Sequence, residues 1–247
     1  MYKLFIVDLD GCISHPFQSP EWAAITEIKR LNNESHQNPS IPKLTICSGR
    51  PFPYVEAVAQ WLDIDLPVLF ESGAGMYDVK DTSLRWHPSF TEERLREVVE
   101  IKQWLKTEVI DKNPGTIPEF TKHTDAGLIN KDSKAIDRMC HSLVGYIETT
   151  YPAFEVHHTD ISINIISKKA NKGQGISWLC DLLGYTLDEV GYIGDSSGDV
   201  PALSIVGKGF APINSKDVAK NVAQVVPLEA TEATLYAYKN LIEINQG

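Results

Sequence analysis

Two short apolar runs, one near each end of the chain, each break off at a pair of aspartates, and few folds accommodate that. Lys3 to Val7 is β-rich and stops at Asp8-Leu9-Asp10-Gly11. Val190 to Gly194 leads into Asp195-Ser196-Ser197-Gly198-Asp199. Apolar runs of this length bounded by turn residues read as buried strands. In open α/β sheets, ligands bind beyond the carboxyl ends of the strands. Asp8 and Asp10 point the same way if the strand pleat persists. Taken singly, D-x-D is equally an acidic turn. Four carboxylates on one sheet edge are harder to dismiss. Two unit charges about 4 Å apart repel by roughly 4 kcal/mol at an effective dielectric near 20. A divalent cation removes that repulsion, and carboxylate oxygens suit Mg²⁺.

The chain between these runs alternates strand and helix signals. Residues 21–31 place Trp22, Ala23, Ile25, Ile28 and Leu31 on one helical face. Lys43 to Cys47 reads as a second strand, 53–62 as a helix and Pro67 to Glu71 as a third strand. That rhythm predicts a parallel α/β sheet. It breaks at Gly73-Ala74-Gly75-Met76-Tyr77, which predicts a hairpin. From about 80 to 168 the pattern is mixed: a long helix near 91–110, a Pro/Gly turn at 113–118, strands at 126–129 and 161–166, and a helix from Ile136 to Thr149. The α/β rhythm resumes at Lys172 with a helix over 173–183, the strand at 190–194, a short helix at 201–206, short strands at 209–211 and 224–226, and a closing helix over 231–244.

Two further segments suit an anion. Ser48-Gly49-Arg50 follows the second strand, where a hydroxyl and a free N–H can hold a phosphoryl oxygen; the other reading is a plain strand-to-helix turn. Lys172 opens a helix in Asn171-Lys172-Gly173, where a cation opposes the helix dipole. It is explained by an anion facing it, or else by solvent. The net charge of −10 argues against general nucleic-acid binding and against anionic membrane surfaces. No apolar run approaches the roughly 18 residues that cross a bilayer. Ordinary apolar and charged fractions, 43% and 23%, exclude wholesale disorder. Cys12, Cys47, Cys140 and Cys180 form no C-x-x-C pair, so they read as reduced thiols of a cytoplasmic protein.

In this order the four segments resemble the motifs of the haloacid dehalogenase (HAD) superfamily of phosphohydrolases. Asp8-Leu9-Asp10-Gly11 resembles its D-x-D-G motif, Ser48 the second motif, Lys172 the third, and Gly194-Asp195-Ser196-x-Gly198-Asp199 the fourth. The resemblance runs over the whole chain. The mixed segment lies between the second and third motifs, where the C2-type caps of Cof-like, sucrose-phosphatase-like and archaeal phosphoglycolate-phosphatase-like members sit. Glu71-Ser72-Gly73-Ala74 resembles their N-G-A segment. Gly198, Cys12 and Ser72 depart from the usual Asn, Thr or Val, and Asn; none removes a reacting group.

The resemblance implies a Rossmann-like core at 1–79 and 169–247, an α+β cap at 80–168, and hinges near 78–83 and 167–171. It implies Mg²⁺-dependent hydrolysis of a small phosphomonoester, a sugar phosphate or a phosphoglycolate-like acid. Asp8 would be the nucleophile that forms an aspartyl-phosphate. Asp10 would protonate the leaving oxygen and then activate water. Mg²⁺ would be held by Asp8, the main-chain carbonyl of Asp10, Asp195 and Asp199. Ser48, Gly49 and Lys172 would bind phosphoryl oxygens, and Arg50 would bind the substrate or cap the loop. Gly115 to Lys122 and His123-Thr124-Asp125 are the expected specificity positions of the cap. Phosphotransfer to a second metabolite and a non-catalytic regulatory role on the same fold remain alternatives. Other readings are weaker. A G-x-S-x-G elbow at Ser196 lacks the following His that such a triad needs. Cys47 and Arg50 are only three apart, too close for a cysteine-phosphatase loop. His157 and His158 are adjacent, so on a strand they point to opposite faces. Trp86, Trp104 and Trp178 are expected to pack cores.

Overall fold

A computed structural model describes residues 1–247. The chain begins with β1 (Leu4–Val7), α1 (Trp22–Ser35), β2 (Lys43–Ile46), α2 (Phe52–Trp61) and β3 (Val68–Phe70), then forms β4 (Gly75–Asp78) and β5 (Ser83–Trp86). The inserted unit follows with α3 (Glu92–Trp104), β6 (Ile117–Pro118), β7 (Ala126–Ile129), α4 (Ser133–Thr150), β8 (Phe154–His158) and β9 (Ser162–Ser167). The chain closes with α5 (Lys172–Leu183), β10 (Val190–Ile193), α6 (Val200–Leu203), β11 (Lys208–Pro212), α7 (Asp217–Lys220), β12 (Gln224–Val226) and α8 (Ala230–Gln246).

The main sheet is parallel, in the order β12-β11-β10-β1-β2. Every residue of β1 and β10 is buried, as expected for parallel strands covered on both faces. A second, antiparallel sheet runs β6-β7-β9-β8 and belongs to the insert. Each sheet has its own core. One cluster joins β1, β2, β10 and the flanking helices around Phe5, Ile46, Tyr192 and Tyr238. The other lies wholly within Val98 to Ile165, around Ile136, Leu143 and Phe154. The insert is therefore an α+β cap with an interior of its own. Its helices start on side-chain caps: Thr91 accepts from the Arg94 amide and Asp132 from the Lys134 amide. In the core, Asn171 caps α5 and Gly184 ends it in the left-handed region.

Several expectations need correction. The third strand meets the main sheet through a single bridge, Cys47 to Leu69, and then enters an antiparallel ribbon, β3-β4-β5. The reason is local: Glu71, Ser72 and Gly73 all adopt positive φ and turn the chain out of the sheet. The hairpin expected at 73–77 is the β3–β4 pair, with Gly73 in its turn and Gly75 in β4, where a Cβ would meet the Phe70 ring at 2.2 Å; β4 then pairs onward with β5. The helix expected over 91–110 keeps α geometry only to Trp104. It then widens into a π-helix over Leu105–Ile110, which leaves Leu105 and Val109 both buried in the cap cluster. β8 was not foreseen, because only Phe154 and Val156 mark its inward face.

Candidate active site

The chain leaves β1 for β2 on one side and returns through β10 on the other, so the winding reverses between β1 and β10. That reversal opens a crevice at their carboxyl ends, the place where such sheets receive ligands. The two Asp motifs meet there. The Asp8 amide donates to the Ile193 carbonyl at 3.0 Å, which extends β1 by one residue and brings Asp8 beside Gly194-Asp195. Gly11 follows at φ +74°, and a Cβ on it would lie 2.1 Å from Asp195 Oδ2. The glycine of D-x-D-G is thus required by both its backbone and the carboxylate against it.

Lys172, from the start of α5, lies under this crevice with only 4% of its surface exposed. Its Nζ is 2.9 Å from Asp8 Oδ1 and 2.6 Å from Asp199 Oδ1. The anions that face this lysine are therefore protein carboxylates. Asp199 is fully buried. Its Oδ1 also accepts from the Tyr192 hydroxyl, and its Oδ2 accepts from the Asp195 and Ser196 amides and the Ser196 hydroxyl. Burial alone would raise Asp199, but Lys172 and these donors outweigh it and hold the carboxyl below its ordinary value. Asp8 goes the other way. Burial, with Asp199 and Asp10 beside it, outweighs Lys172 and pushes its carboxyl up to about 7. Burial, Asp199 and Asp8 likewise drive Asp195 well upward. Asp199 and Asp8 hold the Lys172 ammonium charged despite its burial.

The oxygens of Asp8, Asp195 and Asp199 come within 4.8 Å of one another. They form an all-oxygen set with one lysine against three carboxylates. That surplus of negative charge, written in the raised Asp8 and Asp195, fits a divalent cation such as Mg²⁺. Asp8 and Asp195 are the freer donors, because Asp199 has already committed both oxygens to protein groups.

Asp10 stands nearer the mouth of the crevice. Arg50 grips it with two parallel bonds, Nε to Oδ2 at 2.6 Å and Nη2 to Oδ1 at 2.7 Å. The guanidinium also approaches Glu119 of the cap at 4.0 Å and lies 5.1 Å from the centre of the Tyr54 ring. Arg50, expected to bind substrate, is thus occupied with a neighbouring carboxylate. Ser48 is 1% exposed, and its hydroxyl accepts the Arg50 amide at 3.2 Å. Gly49 lines the crevice itself.

The cap overhangs the crevice, and between them lies a part-open cavity of about 400 Å³, in which only three of 27 lining residues are hydrophobic. Such a wall suits a small polar ligand. On the cap side Lys122 is buried with Nζ 2.8 Å from Glu119, 3.1 Å from Asp125 and 2.6 Å from Asn164 Oδ1. The histidines diverge as expected of a strand: His157 meets Glu155 and Ser197 across the cavity, and His158 meets Cys140 and Asp137. Ser196 donates to Asp199 and is no nucleophile. Sequence reasoning missed the roles of Tyr192, Ser196, Asn164 and Glu71, while Glu119 lies within the expected specificity stretch 115–122. Only Tyr192 carried a signal, since a tyrosine in a wholly buried strand must find its hydroxyl a partner.

Comparisons with known proteins agree with this geometry. A family model described as haloacid dehalogenase-like hydrolase matches residues 103–237, more than half of the chain. A phosphoglycolate phosphatase of Methanopyrus kandleri is 28% identical over 231 residues, covering 92% of this chain and 90% of the relative. A Thermoplasma acidophilum protein shares the fold with a TM-score of 0.74 at 21% identity over 98% of both chains. The sucrose-phosphatase from Synechocystis, solved with sucrose and phosphate, has a TM-score of 0.71 at 15% identity, also over 98% of both. The matched segment runs from the cap through Lys172 and Asp195-x-x-x-Asp199 into the last helix, and on that ground the chain belongs to the haloacid dehalogenase-like hydrolases.

Proposed function

We propose that this protein is a Mg²⁺-dependent phosphoric monoester hydrolase that works through an aspartyl-phosphate on Asp8. The observation that carries the reading is the lysine-bridged group Asp8–Lys172–Asp199 on the floor of a polar, capped crevice. Asp8 attacks phosphorus, and the bond to the leaving oxygen breaks. Lys172, the Ser48 hydroxyl and the Gly49 amide hold the phosphoryl oxygens. For Lys172 this means giving up part of its contact with Asp8 as the phosphoryl group arrives. Asp10 donates a proton to the leaving oxygen and later takes one from the water that cleaves the acyl-phosphate. Clamped by Arg50 it is an acceptor only, the form that activates water. To serve as the acid, it requires Arg50 to release one oxygen. Mg²⁺, held by Asp8, Asp195 and the Asp10 carbonyl with Asp199 behind them, would supply charge to offset the transferring phosphoryl group.

The cap at about 80–168 closes the crevice from water and faces the leaving group with Lys122, Glu119 and Asn164. Relatives named phosphoglycolate phosphatase and sucrose-phosphatase, together with the polar wall, support a sugar phosphate or a phosphoglycolate-like acid as substrate. The four cysteines are buried and unpaired, which suits a reducing, cytoplasmic setting. The test is phosphate release from a panel of small phosphomonoesters, with Mg²⁺ and with EDTA. One sugar phosphate or phospho-acid cleaved far faster than the rest, and stopped by EDTA, supports the reading. Turnover untouched by EDTA, or by Asp8→Asn, overturns it.

A further inference from the structure

We infer that Glu71 is a positioning residue that holds the cap loop 119–125 closed over the active site. The inference rests on the hydrolase reading for its effect on turnover, but not for its geometry. Glu71 lies at the end of β3, in the core, and is 2% exposed. No lysine or arginine pairs with its carboxylate; the cap loop fills it. The His123 amide donates to Oε1 at 2.8 Å and to Oε2 at 2.9 Å. The Thr124 amide and hydroxyl both donate to Oε2 at 2.6 Å. Hydrogen bonds to an ionised acceptor are the stronger kind, and here three donors from one lobe converge on one carboxylate of the other.

The same residue is tied to the phosphate side. Its amide donates to the Arg50 carbonyl at 3.0 Å, and the next amide, of Ser72, donates to the Ser48 carbonyl at 2.9 Å. Glu71 and Ser72 adopt φ of +48° and +59°, a left-handed backbone that side chains disfavour. This geometry aims the side chain of Glu71 into the cap while its amide faces the loop 48–50. One residue thus joins the loop bearing Ser48, Gly49 and Arg50 to the loop bearing Glu119 and Lys122. Trp86 reinforces the joint, with its ring 4.7 Å from that of His123. When the cap lifts, the Glu71 carboxylate must lose all three donors together. The closed arrangement that brings Glu119 to Arg50 and Lys122 to the cavity therefore depends on it.

The test uses the full chain carrying Glu71→Gln. The amide keeps one acceptor oxygen but turns an NH2 toward a backbone donor and removes the charge, so the bond set is weakened while the volume stays the same. Amide hydrogen exchange of the unliganded protein should quicken in the 119–125 segment by about tenfold or more, the scale of one lost set of charged hydrogen bonds. Exchange in β1 and β10 should be unchanged. On the best substrate of the panel, KM should rise by about tenfold with a smaller change in kcat. Turnover of a bare aryl phosphate, which offers the cap little to grip, should change least. Unchanged exchange in 119–125, or faster exchange with the ratio of the two substrates unaltered, overturns the inference. Should Glu71→Gln not fold, Thr124→Val decides: it removes one donor, and the same changes at smaller size support the inference while none overturns it. A protein that cleaves no phosphomonoester refutes the hydrolase reading, and hydrogen exchange still decides whether Glu71 holds the loop.

Discussion

Lys172 and Lys122 are both buried, and both face one cavity from opposite lobes, yet their surroundings differ in charge. Lys172 reaches Asp8 and Asp199 but not Asp195, so the core group keeps a negative surplus. Lys122 has three protons to donate and three acceptors, Glu119, Asp125 and Asn164, in place. Its group leaves only Asp125 Oδ1 without a partner. A surplus of buried negative charge is tolerable where a cation is to be received. A lysine with its acceptors supplied serves as wall. The comparison teaches that buried charge by itself does not mark a reaction centre; the size of the imbalance does, one lysine against three carboxylates in the core and one against two in the cap, where Arg50 also approaches Glu119.

Four measurements would break or sharpen that contrast. The largest effect is expected from Asp8→Asn, which should lower turnover by about a thousandfold or more while the melting temperature holds or rises, since a buried repulsion is removed. Retained activity would end the distinction between the lobes. Next, Lys122→Met strands Glu119 and Asp125 and should lower stability by about 3 kcal/mol, read by denaturant unfolding. Turnover should fall far less than in Lys172→Met. Equal losses would make the cap lysine part of the reaction. Third, Mg²⁺ at a hundredfold excess over its dissociation constant should stabilise the protein by about 2.7 kcal/mol, and Asp195→Asn should abolish most of that gain. A gain that survives the substitution places the cation elsewhere.

The smallest effect is a slope with pH. Burial outweighs Lys122 and pushes Asp125 up to about 7, with Glu71 and Glu119 adding to the rise. A carboxyl raised in the folded state binds more protons there than when unfolded. Its contribution is therefore fully present below about pH 4 and is lost as pH rises through about 7. Unfolding with Mg²⁺ present, which offsets the similar rise of Asp8, should show stability falling across that window. Asp125→Asn should flatten it. An unchanged slope would mean that the cap group is less strained than its burial implies.

The motifs at Asp8, Ser48, Lys172 and Asp195 were legible because each sits at the end of a strand or the start of a helix, and short runs announce such ends. Arg50 is the instructive case. Its place after Ser48-Gly49 suggested a substrate ligand or a loop cap, and the partner the structure gives it is Asp10, 40 residues earlier. Nothing in the local pattern of either residue encodes that pairing. Glu71 passed as the last residue of the third strand, because its donors lie 52 and 53 residues further on.

By itself the sequence determined where the strands stop, which side chains stand at each stop, and that an insert separates the two halves. These are short-range properties, carried by apolar runs, turn residues and helix caps. Only the tertiary structure decided that β1 lies beside β10, that two carboxylates share one lysine beside a third, and that Glu71 receives the cap loop. Those contacts depend on how separately formed elements pack, and packing is fixed by the summed burial of both cores rather than by any local pattern.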